Sequence, residues 1–206
     1  VATIIRGLAG RDAAGLRLAM NLALAFAPAA VLGPLLDAHL ERWLFHPLPI
    51  VAALAVGGVA MLWIDRWQRI RFGEDRPHVH LMDLTWKAAL LIGLLQCVAM
   101  WPGTSRSMIT IVGGMLVGMK PRQAAEFSFL LGVPTLGGAT IYKLWQSGPL
   151  VADLGATSVI VGIVVAFVAA AMAIKWLVSY LSNHGLAIFG WYRLALALVV
   201  ALGLFG

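Results

Sequence analysis

Charge is scarce in this chain, and acidic charge most of all. Nine Asp and Glu stand against fifteen Lys and Arg in 206 residues, and charged residues total 12%. A soluble domain carries about 25%, so a water-covered surface of ordinary size is excluded. Cysteine is scarcer still. Cys97 is alone, which rules out an intrachain disulfide and a cysteine-built zinc site; it lies in an apolar run and reads as a small buried hydrophobe. No basic surface interleaved with aromatics appears, so the net charge of +6 does not indicate nucleic acid. The arginines lie in short stretches between apolar segments, the pattern that orients membrane proteins. The chain opens at Val1 with neither an initiator Met nor a signal peptide, and is expected to be part of a longer protein.

What the chain has in excess is apolar length. It is 61% hydrophobic with a mean hydropathy of +0.91. Runs over 18–36, 50–64, 124–145, 156–177 and 187–205 predict five membrane-spanning helices in a single membrane domain, 1–206. Residues 1–17 read as the tail of a helix plus a loop. Asn21 is expected to be solvated near a helix start. Gly57 and Gly58 permit close helix packing. Trp145, Trp176 and Trp191 fall where interfacial anchors belong. Residues 37–49 and 65–87 read as loops. Within them, His39 with Glu41 and His78 with His80 are weak metal-ligand pairs, too few and too divergent to define a site.

The remaining apolar stretch is interrupted. Residues 88–101 and 107–119 make two segments of about 13–14 residues, roughly 20 Å each as helix, short of a bilayer core of about 30 Å. Between them lies Trp101-Pro102-Gly103-Thr104-Ser105-Arg106-Ser107. Two half-length helices around a polar break predict a re-entrant hairpin, because irregular backbone at that depth has to be lined by protein or water. The positive charges agree. With a hairpin, Arg6, Arg11, Arg17, Arg66, Arg69, Arg71, Arg76, Lys87, Lys120, Arg122 and Lys175 fall on one side and only Arg42 and Lys143 on the other, so the first side is cytoplasmic. Arg106, in the hairpin, and Arg193, inside the last span, stand outside this count.

The break carries the chemistry. Pro102 and Gly103 stop a helix, and Thr104, Ser105 or Ser107 can cap the one that restarts. A helix start exposes amides; with hydroxyls and the Arg106 guanidinium they describe a cradle for phosphate. The alternative is a kinked transmembrane helix with a snorkelling arginine, but about a dozen apolar residues on each side leave no short path to water. Thr110, one turn after Arg106, either shares its face or bonds its own backbone. Gln96 sits mid-run in the entering segment. Glu126 opens the next span, where it either complements the helix dipole or orients Arg106 or a cation. No histidine lies near in sequence, so the cradle lacks an evident base for a serine nucleophile.

The run Gln96-Cys97, Trp101 to Ser107, Thr110-Ile111 and Gly113-Gly114-Met115, followed by Ala124-Ala125-Glu126-Phe127-Ser128-Phe129-Leu130-Leu131 and Pro134, resembles the second signature of the undecaprenyl-pyrophosphate phosphatases of the bacitracin-resistance type. The resemblance implies an all-α polytopic membrane protein with two inverted repeats, here about five transmembrane helices and one re-entrant helix–loop–helix. It implies a multi-pass enzyme of the bacterial inner membrane. That enzyme removes the terminal phosphate of a polyprenyl diphosphate to recycle the peptidoglycan carrier lipid, with its site open to the outer side. It implies a divalent cation, Mg2+ or Ca2+, and admits a homodimer. By position Arg106, Ser105 and Thr110 are the candidate catalytic residues, Gly103, Thr104, Ser107 and Gln96 the candidate substrate contacts, and Glu126 a candidate support. The family's first signature, rich in Glu and ending in Ser-Ser-Thr-Gly-His, does not occur in this sequence. The metal ligands are therefore expected mainly upstream, and the 206-residue chain alone is expected to be inactive. Met108 replaces the usual Gly and is expected to narrow the space beside the anion. A lipid-phosphate transporter or flippase using the same cradle is the competing reading, and a structural membrane subunit the blandest.

Overall fold

The computed structural model describes residues 2–72, 78–152 and 156–205, with backbone alone at residues 2, 5, 37–39, 41, 72, 146–152, 156 and 205. The described residues are helical throughout. The helices are α1 (Ala2–Leu8), α2 (Ala13–Leu44), α3 (Pro47–Phe72), α4 (Trp86–Val98), α5 (Arg106–Leu116), α6 (Pro121–Ala152), α7 (Ala156–Asn183) and α8 (Ala187–Phe205), with one 3-10 turn at Leu81–Asp83. Five of them, α2, α3, α6, α7 and α8, are long and apolar enough to cross a membrane; α4 and α5 are not.

Several helices overrun the segments that hydropathy marks. Residues 37–49 were expected to be loop, yet α2 continues to Leu44 through Pro28 and Pro34. No Gly or Pro separates Asp37 from Leu44, so nothing stops the backbone there. The side chains of His39 and Glu41 lie outside the described residues. The expected loop 65–87 likewise begins as helix, because α3 runs to Phe72. Its arginines are exposed, but Asp65 and Gln68 are not solvated. Asp65 accepts from Leu186 N–H at 2.8 Å and from Arg69 Nε at 3.0 Å, and Gln68 donates to Met119 O. Asn21, also expected in water, is buried and donates to Leu84 O at 2.6 Å. His80 caps the 3-10 turn, accepting from Met82 N–H. At the start of the chain, Asp12 caps α2 through Ala14 and Gly15 amides.

These bonds hold the hairpin. The segment before α4 joins the segment after α5 directly, Val79 N–H donating to Gly118 O at 3.0 Å. Both ends of the α4–α5 unit therefore sit at one level, beside the C-terminal end of α3 that Gln68 ties to Met119. The hairpin goes in and comes back. Its tip lies against Ile50 and Ala53, near the opposite end of α3; the distance along α3 from Gln68 to Ala53 is about 15 residues, roughly 22 Å. Small residues let the helices close in. A Cβ at Gly93 of α4 would collide with the Ala25 backbone of α2, and one at Gly58 of α3 would stand 2.9 Å from Gly190 O of α8. The core is centred on the hairpin, with Ile92, Ile111, Met115, Met119, Phe127 and Leu131 fully or nearly buried.

Candidate functional site

The tip forms where α4 can no longer continue. Ala99, Met100 and Trp101 amides donate to Gln96, Cys97 and Val98 carbonyls, three tight turns in succession. Pro102 brings no amide. Gly103 takes φ +94°, and a side chain there would meet Ile50 O at 2.8 Å and Ala53 Cβ at 3.1 Å, so conformation and space both demand glycine. The Thr104 hydroxyl donates to Trp101 O at 2.6 Å, and the Trp101 indole donates to Pro49 O at 3.1 Å. Ser105 then adopts φ +66°, the one non-glycine residue with positive φ among the described residues. That conformation costs an L-residue about 1–2 kcal/mol and is characteristic of functional turns. Its Oγ accepts from Met108 N–H at 3.4 Å, capping α5. Among the described residues no acceptor meets the amides of Arg106 and Ser107, so both remain at the positive end of the helix.

Arg106 reaches from α5 to α6 and α4. Its Nη2 donates to Ser128 O at 2.9 Å, and Nη1 makes a longer contact of 3.4 Å with Gln96 Oε1. Gly132 gives the guanidinium room: a Cβ there would sit 2.9 Å from Nη2. Gln96 is 2% exposed. Its Oε1 faces Arg106 and stands 3.5 Å from the Thr135 hydroxyl, while its Nε2 is buried without an acceptor among the described residues. A donor so placed needs an oxygen from water or ligand. Thr110 bonds its own helix, donating within 2.9 Å of Arg106 O, and is also 2.6 Å from Ser128 Oγ across to α6; the two readings of Thr110 hold together.

The structure thus gathers Arg106, Gln96 and Thr110, leaves Ser105 exposed as the cap of α5, and shapes the tip with Gly103. Thr104 is turned inward, its hydroxyl held by the turn. Ser107 is half-buried and supplies a carbonyl to Thr110. Glu126 is paired with Arg122 at 3.0 Å, one turn back on α6, and not with Arg106. Met108 is buried, and its Cε packs toward Gly57 of α3, where a Cβ would come within 2.8 Å. Three participants carried no role in the sequence reading. Ser128 and Thr135 are seven residues apart on one face of α6, a spacing visible in the sequence but common in any helix. Arg193 is 9% exposed, and its Nη2 donates to Ala53 O at 3.3 Å and to Gly103 O. It clamps the tip from α8. The argument that singled out Arg106, a guanidinium inside an apolar span, applies to it equally.

The donor set suits an anion. It offers a guanidinium, an amide N–H, hydroxyls and two helix-start amides, and no carboxylate or imidazole. No group of three His, Cys, Asp or Glu able to hold a metal ion occurs among the described residues. What these residues offer is a guanidinium and amide donors, a set that suits the binding of an oxyanion.

Five apolar helices around a hairpin of two shorter ones, with a half-buried arginine at its tip, define a polytopic all-α membrane protein. Comparison with known proteins narrows the class. The chain matches the family described as Bacitracin resistance protein BacA over residues 1–199, and it belongs to that family. It is 46% identical over 202 residues to an undecaprenyl-diphosphatase of Sorangium cellulosum, covering 97% of this chain and 65% of that protein. With an undecaprenyl-diphosphatase of Pseudomonas aeruginosa it is 44% identical over 184 residues, covering 89% and 65%. With one of Nitrosomonas europaea it is 41% identical over 202 residues, covering 97% and 70%. The chain spans about two thirds of the length of these relatives, 65% of the first.

Proposed function

We propose that the chain carries the diphosphate-binding part of an undecaprenyl-diphosphate phosphatase. The reaction is hydrolysis: water adds to the terminal phosphorus, the P–O–P bond breaks, and undecaprenyl phosphate and inorganic phosphate leave. The observation that carries this reading is the Arg106 guanidinium, anchored by Ser128 O and facing Gln96 at the start of α5, where two amides are uncommitted. Such a cradle holds the substrate oxygens and neutralises charge that develops as the bond breaks. Ser105 positions the helix start through its cap, and Gln96 Nε2 donates to a phosphate oxygen. Thr110 and Ser128 keep α5 and α6 in register, so that the guanidinium is pre-placed. Carboxylates for a divalent cation would come from segments that the relatives have outside the matched region. The basic residues at the hairpin's entrance make that side cytoplasmic, so the tip opens toward the outer face of the inner membrane, where the released lipid re-enters the carrier cycle. The relatives' shared name favours hydrolysis over the transporter reading.

The test is phosphate release from undecaprenyl diphosphate by the intact natural protein in detergent. Arg106→Ala is expected to lower the rate by a factor of about 100 or more, and Arg106→Lys to restore little of it, because a point charge cannot reproduce the planar fork. Release at the parental rate by Arg106→Ala would sink the assignment.

A further inference from the structure

Arg193, like Arg106, is a cation set in an apolar stretch, and the phosphatase reading gives it no task. Its approach to the tip is built by glycines. α8 packs closely on α3 at Gly190, whose carbonyl would stand 2.9 Å from a Cβ at Gly58. Arg193 follows three residues on, near the same face of α8. Gly57 leaves room for it: a Cβ there would come 2.7 Å from Nη2 and 3.1 Å from Nε. Arg193 is buried. Its Nη2 donates to Ala53 O at 3.3 Å and to Gly103 O, while its Nε has no acceptor among the described residues. An apolar side chain would join α8 to α3 without the cost of desolvating a charge. What an apolar side chain cannot do is hold a carbonyl.

The carbonyl held is the one that sets the tip. Gly103 O and Thr104 N–H belong to one peptide unit. Arg193 grips the oxygen, and the N–H donates to Trp101 O at 3.2 Å. Fixed from both sides, the unit resists rotation. The chain then turns at Ser105, with φ +66° and ψ +111°, a conformation that persists only where its surroundings impose it. Beyond it stand the Arg106 and Ser107 amides, which meet no acceptor among the described residues. Their direction follows from the Ser105 dihedrals. A series of fixed units therefore runs from α8 to the start of α5: guanidinium, Gly103 carbonyl, Thr104 peptide, Ser105, free amides.

We propose that Arg193 is a positioning residue for the Arg106 cradle: by holding Gly103 O it keeps Ser105 at positive φ and so aims the two helix-start amides at the substrate's oxygens. What the amides bind rests on the phosphatase reading; what holds them does not.

The experiment adds Arg193→Gln to three versions of the intact protein: the natural sequence, Ser105→Ala and Ser105→Gly. Glycine takes a positive φ unaided, and alanine does not. Phosphate release from undecaprenyl diphosphate is compared with each version's own parent. In the natural sequence and in Ser105→Ala, Arg193→Gln is expected to lower release about 10- to 100-fold, the effect of a displaced binding group. In Ser105→Gly the further loss is expected to stay under about threefold, because the turn no longer needs to be held. Arg193→Lys keeps a donor for Gly103 O and should stay within about threefold of the parent, unlike Arg106→Lys, where the planar fork is needed. Hydrogen–deuterium exchange of peptides covering residues 104–109 gives a readout independent of turnover, and Arg193→Gln should speed it there while α7 keeps the parental rate. If Arg193→Gln fails to accumulate, Gly57→Ala replaces it, since the new Cβ displaces Nη2 while the cation stays. Equal losses in all three versions would make Arg193 a direct contact or a structural tie and overturn the proposal. Unchanged exchange at the tip would overturn it too, whatever happens to release. Release that survives Arg106→Ala, with tip exchange still dependent on Arg193, would sink the phosphatase reading and uphold the hold on the tip.

Discussion

Gly132 illustrates how a residue with no side chain sets the position of one that acts. Its missing Cβ is the space that Arg106 Nη2 occupies, 2.9 Å from where that carbon would stand. Gly132→Ala is therefore expected to push the guanidinium off Ser128 O and lower phosphate release by the intact protein about tenfold, the equivalent of about 1.4 kcal/mol at the transition state. Alanine favours helix over glycine by about 1 kcal/mol, so thermal stability should stay level or rise. A loss of activity matched by a loss of stability would instead mean that the helix packing has failed. Arg106 itself was legible from the sequence, since a lone charge between two apolar runs has few explanations. Gly132 was not, because a glycine in an apolar helix does not declare which neighbour requires its absence of bulk. The partner of Met108 was not legible for the same reason: its Cε packs toward Gly57, which lies on a different helix and about fifty residues away in the chain.

Among the elements, the hairpin of α4 and α5 was the most legible, because its shortness is itself the signal. Neither helix, at 13 and 11 residues, spans a bilayer core by itself, and the charge distribution favoured a hairpin over a broken crossing. The bond from Val79 N–H to Gly118 O closes that arrangement at its base. It makes a prediction about sidedness. In a protein whose Cys97 is replaced by Ser, single cysteines introduced as Lys87→Cys and Lys120→Cys should both react with an impermeant maleimide from the cytoplasmic side of inverted vesicles, and Arg42→Cys only from the other. Labelling of positions 87 and 120 from opposite sides would mean that the stretch crosses the membrane. Helix ends were far less legible. Hydropathy reports where side chains meet lipid, whereas a helix continues until its backbone is stopped. So α2 and α3 extend past their apolar runs, and the polar residues on the α3 extension, Asp65 and Gln68, are buried as ties to the α7–α8 junction and to the end of α5.

At the scale of the whole molecule, four helices converge on one tip. α5 brings Arg106 and the free amides, α6 brings Ser128 and the space at Gly132, and α8 brings Arg193 to Gly103 O. α4 adds Gln96, whose amide nitrogen has no acceptor among the described residues. A half-buried arginine at such a convergence is costly unless anions repay its desolvation, and the central claim is that Arg106 is there to hold a diphosphate. Binding separates that claim from turnover. The most direct measurement is calorimetric titration of the intact protein with a methylene-bridged, non-hydrolysable polyprenyl diphosphate, comparing the natural sequence with Arg106→Gln. Loss of charge-assisted hydrogen bonds worth about 1.5–3 kcal/mol predicts affinity weaker by a factor of about 10 to 150 in the variant; equal affinity in the two proteins would contradict the account.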